Sequence, residues 1–324
     1  MNKEIFSIRT RQAFDDACMK TFHHQARHGA IYKEYLSLIH VDPATIRQPE
    51  AIPCLPIAFF KNHRIITGHE PPQRVFTSSG TTGTVQSQHY VVDTAVYERS
   101  FRTAFAEFYG HPADMAILAL LPSYSEREGS SLIYMVDDLI RQSRHPQSGY
   151  FLYNHNDLYD ALQALKAAGT PTLLIGVTYA LLDFVENHVI DFPQLMIMET
   201  GGMKGRRREM IREEVHDRLC RGFHVTEIHS EYGMTELLSQ AYSRGGGRFR
   251  CPPWMDIYIR DTNDPFDLLP LNRTGAINII DLANIHSCAF IATQDLGRKH
   301  ADGSFEVLGR FDQSDIRGCN LLVQ

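Results

Sequence analysis

The chain has 324 residues, 43% hydrophobic and 22% charged, with a formal net charge of −6. That balance is the one expected of a globular protein with a sizeable core, in one large domain or two ordinary ones. The negative charge argues against a nucleic-acid binder, and Arg206-Arg207-Arg208 reads as the solvated start of a helix rather than a basic site.

Residues Met1 to Thr10 lack the apolar core of a secretory signal. No run approaches the roughly 18 uninterrupted apolar residues of a membrane span, so a cytoplasmic protein is expected. Phe14, Cys18 and Phe22 recur at helical spacing, and Ile31, Tyr35 and Leu38 follow after Gly29, which predicts two helices over residues 8–40. Pro43, Pro49, Pro53 and Pro56 then break the chain into turns and extended pieces.

From residue 74, short apolar or β-branched runs alternate with longer mixed stretches. The runs are Arg74–Thr77, Met115–Leu121, Thr172–Ile175, Leu195–Glu199 and His224–His229. Such alternation predicts an α/β fold with a largely parallel sheet. After Gly245-Gly246-Gly247 the texture changes to strand-like segments, Asp256–Arg260 and Ala276–Asp281 among them. The expected division is an α/β region over 1–245, a smaller β-rich subdomain over 246–310 and a tail over 311–324.

Six cysteines (Cys18, Cys54, Cys220, Cys251, Cys288, Cys319) form no CxxC pair, so neither a zinc ribbon nor a disulfide framework is expected. In a reducing compartment they are thiols. The sixteen histidines include no HExxH and read as surface or structural groups.

Two segments carry chemistry. Thr77-Ser78-Ser79-Gly80-Thr81-Thr82-Gly83-Thr84 follows a predicted strand. Its small residues let the backbone turn sharply, and its amides and hydroxyls can donate to phosphate oxygens; a polar turn between strands is the alternative. GxxxxGK[ST] cannot be written through it, which disfavours a P-loop NTPase. The second segment is His229-Ser230-Glu231-Tyr232-Gly233-Met234-Thr235-Glu236. The Thr235 hydroxyl could touch a phosphate, and the Glu236 carboxylate could hold Mg²⁺, a hard cation that prefers oxygen.

Together these segments resemble the adenylate-forming superfamily of acyl-CoA synthetases, peptide-synthetase adenylation domains and firefly luciferase. Within it, Leu55–Lys61, Leu121–Tyr124, Glu231–Gln240 and Gly309–Asn320 are similar to LuxE-type acyl-protein synthetases. The resemblance runs from about residue 50 onward. It implies that Ser78, Ser79, Gly80, Thr81, Thr82 and Gly83 cradle the phosphates of ATP. By the same resemblance Gly201-Gly202 pack along adenine, Tyr232 stacks near the purine, Thr235 binds the α-phosphate and Glu236 holds Mg²⁺. Asp295 would accept the ribose hydroxyls with Arg310 as its basic partner; a turn carboxylate and a surface guanidinium are the plain alternatives.

Two departures stand out. Val85-Gln86 occupy the place where the superfamily loop commonly ends Pro-Lys, and the sequence stops 14 residues after Arg310. The mobile C-terminal lid domain is therefore expected to be absent, and its catalytic lysine to be absent, replaced or supplied by a partner.

LuxE-type enzymes pass the acyl group to a cysteine near the C-terminus, and Cys319 stands at the matching place. The expected function is ATP-dependent activation of a carboxylic acid, with a fatty acid as the expected substrate, followed by transfer to Cys319, with an acyl-accepting reductase or carrier protein as partner. An acyl- or aryl-CoA synthetase or carrier-protein ligase with Cys319 idle is one alternative. A degenerate nucleotide-binding or interaction protein is another.

Overall fold

A computed structural model describes residues 4–78, 85–123, 127, 129–201 and 210–311. The two expected N-terminal helices are α1 (Arg11–His28) and α2 (Ala30–Leu38). Thr10 caps α1 by accepting from the Ala13 amide, and Arg27 and His28 end it where the helix dipole favours cations. At Gly29 between them, a Cβ would stand 2.9 Å from the Gln25 carbonyl, so a side chain would have to displace backbone.

The chain continues through β1 (Leu55–Pro56), α3 (Phe59–Asn62), β2 (Arg74–Thr77), β3 (Gln88–Val91) and α4 (Thr94–Tyr109). Next come β4 (Ala116–Leu120), α5 (Ser131–Ser143), β5 (Gly149–Tyr150), α6 (His155–Ala168), β6 (Thr172–Gly176), α7 (Thr178–Asn187), β7 (Met196–Glu199), α8 (Arg212–Phe223) and β8 (His229–Tyr232). The remaining elements are a 3-10 turn at Leu282–Asn284 and six strands, β9 (Ala241–Ser243), β10 (Phe249–Arg250), β11 (Met255–Arg260), β12 (Thr274–Asp281), β13 (Phe290–Lys299) and β14 (Phe305–Arg310).

These elements group into two compact units. One comprises Met1–Ser100, Glu236–Ser239 and Arg250–Gln324, the other Phe101–Thr235 and Gln240–Phe249. The grouping differs from a linear cut at residue 245, for a reason visible in the first unit. There β1 pairs in parallel with β13, Leu55 opposite Ile291, so N-terminal chain is built into the C-terminal sheet. Gln25 of α1 adds a second tie: its amide donates to the carbonyls of Asn284 and Ile285 and accepts from Ala289 N, all at 2.9–3.1 Å.

The first unit carries an antiparallel sheet in the order β11-β12-β13-β14, with a separate β2–β3 hairpin. Its core includes Phe22 and Tyr32 against Phe290, and the fully buried Trp254 with its edge to Phe6. In the second unit β5, β4, β6, β7 and β8 are successive parallel neighbours, and β9 turns back antiparallel to β8. All five residues of β4 and of β6 are buried, which is why these strands read as continuous apolar runs in the sequence.

The run His224–His229 does not form a strand as a whole. His224 adopts φ 50° as the left-handed cap of α8, Val225 N donates to Cys220 O, and the strand starts only at His229. Its apolar residues therefore serve the helix end and the connection. No helix among the described residues is long and apolar enough to cross a membrane.

Candidate functional site

The first unit gathers several of the predicted residues around the ends of β2 and β3. The hairpin ladder runs to Thr77 opposite Gln88. It is then pinched by Ser78 N donating to Ser87 O at 3.1 Å and Ser87 N donating to Ser78 Oγ at 2.9 Å. The Ser78 side chain thus shapes the neck of the Ser/Thr/Gly loop. Ser79, Gly80, Thr81, Thr82 and Gly83 lie outside the described residues, as do Gly202 and Cys319.

Glu236 is 5% exposed. Burial pushes its carboxyl above the ordinary carboxylate range, a hydrogen bond from Ser87 and the Arg310 charge work the other way, and Asp295 adds to the rise. Glu236, Asp295 and Arg310 therefore feel one another's charge beside the loop neck. Asp295 faces Arg310 across the β13–β14 ladder and accepts from its Nε at 3.1 Å. Because Arg310 is 80% exposed, this ion pair adds little stability; its effect is to orient the carboxylate. Two carboxylates thus share this neighbourhood with one arginine, and among the described residues no group of three or more His, Cys, Asp or Glu stands together to hold a metal ion.

The backbone just after Glu236 is held by groups that the motif did not reveal. Asp281, fully buried at the end of β12, accepts from Leu238 N (2.8 Å), Ser239 N (2.9 Å), Ser239 Oγ (2.6 Å) and Ala283 N (3.1 Å). Asn284 Nδ2 donates to the Glu236 carbonyl at 2.8 Å. Between them they fix where the Glu236 side chain begins.

The second unit holds Gly201, Tyr232 and Thr235. Gly201 has φ 72°, a conformation that favours glycine, and its amide donates to Glu199 Oε2 at 2.7 Å. Glu199 also accepts from Thr178 Oγ1 at 2.9 Å. Burial alone would raise its pKa, but the nearby His216, with its Nε2 3.7 Å away, the Arg212 charge, the nearby Ser230 and the hydrogen bond from the Gly201 amide hold it at about 2. Tyr232 packs edge-on to Phe249, whose ring in turn lies under Arg212, and Thr235 is half-buried. A Cβ at position 233 would sit 2.4 Å from Glu231 Oε1, so a side chain there would push on the end of the Glu231 carboxyl.

Burial and the neighbouring Glu199 charge push Glu231 up to about 8 from its ordinary 4.5. Folding then takes up a proton at Glu231 between those values, so stability falls as pH rises through 4.5 to 8. Glu199 acts in the opposite sense, its contribution fading only as pH falls from 4.5 towards 2. Urea unfolding at pH 5 and pH 8 should show the parent losing roughly 3–4 kcal/mol more than Glu231→Gln over that interval. Equal losses in the two proteins would contradict the assignment.

The sequence did not single out Ser87, Asn284 or Glu199 in these roles. Glu199 and Asp281 did leave a trace, since each is a carboxylate closing a largely apolar strand. Ser87 and Asn284 left none.

The fold is that of the acyl-CoA ligases that form an adenylate. A 2-hydroxyisobutyryl-CoA ligase in the postadenylation state with 2-HIB-AMP superposes with a TM-score of 0.67 at 12% identity, over 93% of this chain and 68% of the ligase. The same ligase in an open conformation with 2-HIB-AMP and CoA gives 0.65 at 12% identity, over 93% of this chain and 70% of that one. ATP-bound MatB from Rhodopseudomonas palustris gives 0.56 at 16% identity over 73% of this chain, which spans about half of MatB's length (47%). No protein-family model and no curated protein matches the sequence.

Proposed function

We propose that this protein uses ATP to activate a carboxylic acid as an acyl-adenylate and then transfers the acyl group to a thiol. The observation that carries this reading is the grouping of the Ser78–Ser87 loop neck, buried Glu236 and the Asp295–Arg310 pair in one unit. The ligase fold supports it.

In this reading the loop from Ser78 to Gly83 donates to the phosphates and Thr235 binds the α-phosphate. Gly201, Gly202 and Tyr232 line adenine, and Asp295 takes the ribose hydroxyls beside Arg310. Glu236 would hold Mg²⁺, which when bound supplies charge neutralisation on the phosphates. A carboxylate oxygen of the acid attacks the α-phosphorus, the bond to the β-phosphoryl oxygen breaks, and pyrophosphate leaves with the electron pair. The acid is already ionised near neutral pH, so the step needs no general base. The thiol then loses its proton, sulfur attacks the acyl carbon, and AMP departs.

For the acceptor, the reading favours Cys319. Burial pushes the thiols of Cys18, Cys54, Cys220, Cys251 and Cys288 upward, Cys54 to about 12, so none of them is an activated nucleophile. A reductase or carrier protein would then take the acyl group. A second reading, with CoA as acceptor, is favoured by the likeness to a ligase solved with both 2-HIB-AMP and CoA.

Intact-protein mass spectrometry after incubation with ATP and a panel of acids, fatty acids included, separates them. The parent should retain a hydroxylamine-labile acyl adduct that Cys319→Ser loses while still making acyl-AMP. An adduct on Cys54 or Cys288, or one that persists in Cys319→Ser, would overturn the cysteine route. Acyl-CoA formed with no labelled protein would establish the second reading instead.

A further inference from the structure

Arg260 is a buried cation, 7% exposed, and no carboxylate among the described residues pairs with it. Burial pulls its pKa below the usual arginine range. Its hydrogen-bond acceptors are backbone carbonyls, and they share one location. Along β12 and β13 the ladder steps from Ala276 opposite Leu296 to Asn278 opposite Ala292. Ile277 alone therefore faces Thr293, Gln294 and Asp295, a bulge that interrupts the ordinary ladder bonds.

The bulge is re-bonded by side chains. Arg260 Nη1 donates to Ile277 O at 3.1 Å and Nη2 to Thr293 O at 2.8 Å, one carbonyl on each strand. Thr293 Oγ1 donates to Ile277 O at 2.8 Å and accepts from Asp295 N at 3.1 Å. On the far side, Phe311 N donates to Gln294 O at 3.0 Å, and the Phe311 ring lies 5.9 Å from the guanidinium. The backbone that ends at Asp295 is thus held through Arg260, which a guanidinium can do because it donates in two directions from one plane.

We propose that Arg260 is a positioning residue for Asp295, bridging the Ile277 and Thr293 carbonyls so that the bulge presents the carboxylate to the nucleotide ribose. The inference rests on the reading of Asp295 as the ribose acceptor. Without its bridge the bulge loses the guanidinium donor to the Thr293 carbonyl and keeps only the Thr293 hydroxyl on the Ile277 carbonyl, so it relaxes, moving Asp295 while leaving phosphate contacts elsewhere in place.

The test compares binding of ATP and 2′,3′-dideoxy-ATP by the parent, Asp295→Ala, Arg260→Met, Arg260→Lys and the double variant Arg260→Lys/Asp295→Ala, with thermal unfolding of each. Arg260→Met should weaken ATP about tenfold and leave dideoxy-ATP nearly unchanged, with Arg260→Lys, which reaches only one carbonyl, intermediate. The double variant should discriminate no less than Asp295→Ala alone, because Arg260 acts through Asp295. Should Arg260→Met fail to fold, Arg260→Lys and the double variant decide the matter.

If the Arg260 variants weaken both nucleotides in parallel, or their effect adds to that of Asp295→Ala, Arg260 is merely structural and the inference is overturned. If Asp295→Ala itself keeps the parent's ratio, the ribose reading fails and takes the inference with it. Collapse of the ratio in Asp295→Ala with an unchanged ratio in the folded Arg260 variants overturns the inference alone.

Discussion

Glu236→Gln should slow single-turnover formation of acyl-AMP about a hundredfold at limiting Mg²⁺, a loss of roughly 2.7 kcal/mol of transition-state stabilisation. The amide keeps the shape of the side chain and its bond to Ser87, so the fold should be unaffected. What it removes is the negative charge. Burial and the nearby Asp295 make that charge costly in the parent. Such a cost is reasonable where a cation is to be bound and unreasonable where only packing is needed. The defect should shrink as Mg²⁺ is raised. A variant as fast as the parent at limiting Mg²⁺ would remove Glu236 from the metal site.

The second large effect is on stability. Asp281→Ala strips four hydrogen bonds at once and leaves the buried amides of Leu238, Ser239 and Ala283 without their acceptor. At about 1–3 kcal/mol for each buried group left unsatisfied, with some relaxation, a loss of about 4 kcal/mol is expected from urea unfolding. Asp281→Asn keeps one acceptor oxygen and should cost about half as much. A loss under about 1 kcal/mol for Asp281→Ala would mean that the Glu236–Ser239 segment is held by other contacts. The site and the stability of the fold meet here, because this is the backbone from which Glu236 projects.

Much of the architecture was legible because burial leaves a periodic trace. Phe14, Cys18 and Phe22 marked α1, and the apolar runs of β4 and β6 marked strands covered on both faces. His224–His229 misled for a related reason, since Val225 and Ile228 are buried in a helix end and connection, where apolar residues carry no strand period. The grouping of N-terminal with C-terminal chain could not be read at all. It rests on the pairing of Leu55 with Ile291 and on Gln25 meeting Asn284, Ile285 and Ala289, contacts made across more than two hundred residues.

In the site, the residues with motif spacing were visible, and those that hold them were not. Glu236 and Asp295 sit in recognisable segments, whereas Ser87, Asn284 and Arg260 act through backbone carbonyls or a single hydroxyl. Backbone acceptors have no sequence signature, so a side chain that serves them looks like any other polar residue.

Exchange of labelled pyrophosphate into ATP tests the central claim most directly, because it requires reversible formation of an acyl-adenylate and nothing downstream. With the full chain, Mg²⁺ and a panel of carboxylic acids, exchange should appear with at least one acid, require that acid, and fall sharply in Glu236→Gln. It should persist in Cys319→Ser, whose change touches only the acceptor. Exchange that is absent with every acid while the folded protein binds ATP, or that proceeds equally without acid, would contradict the account.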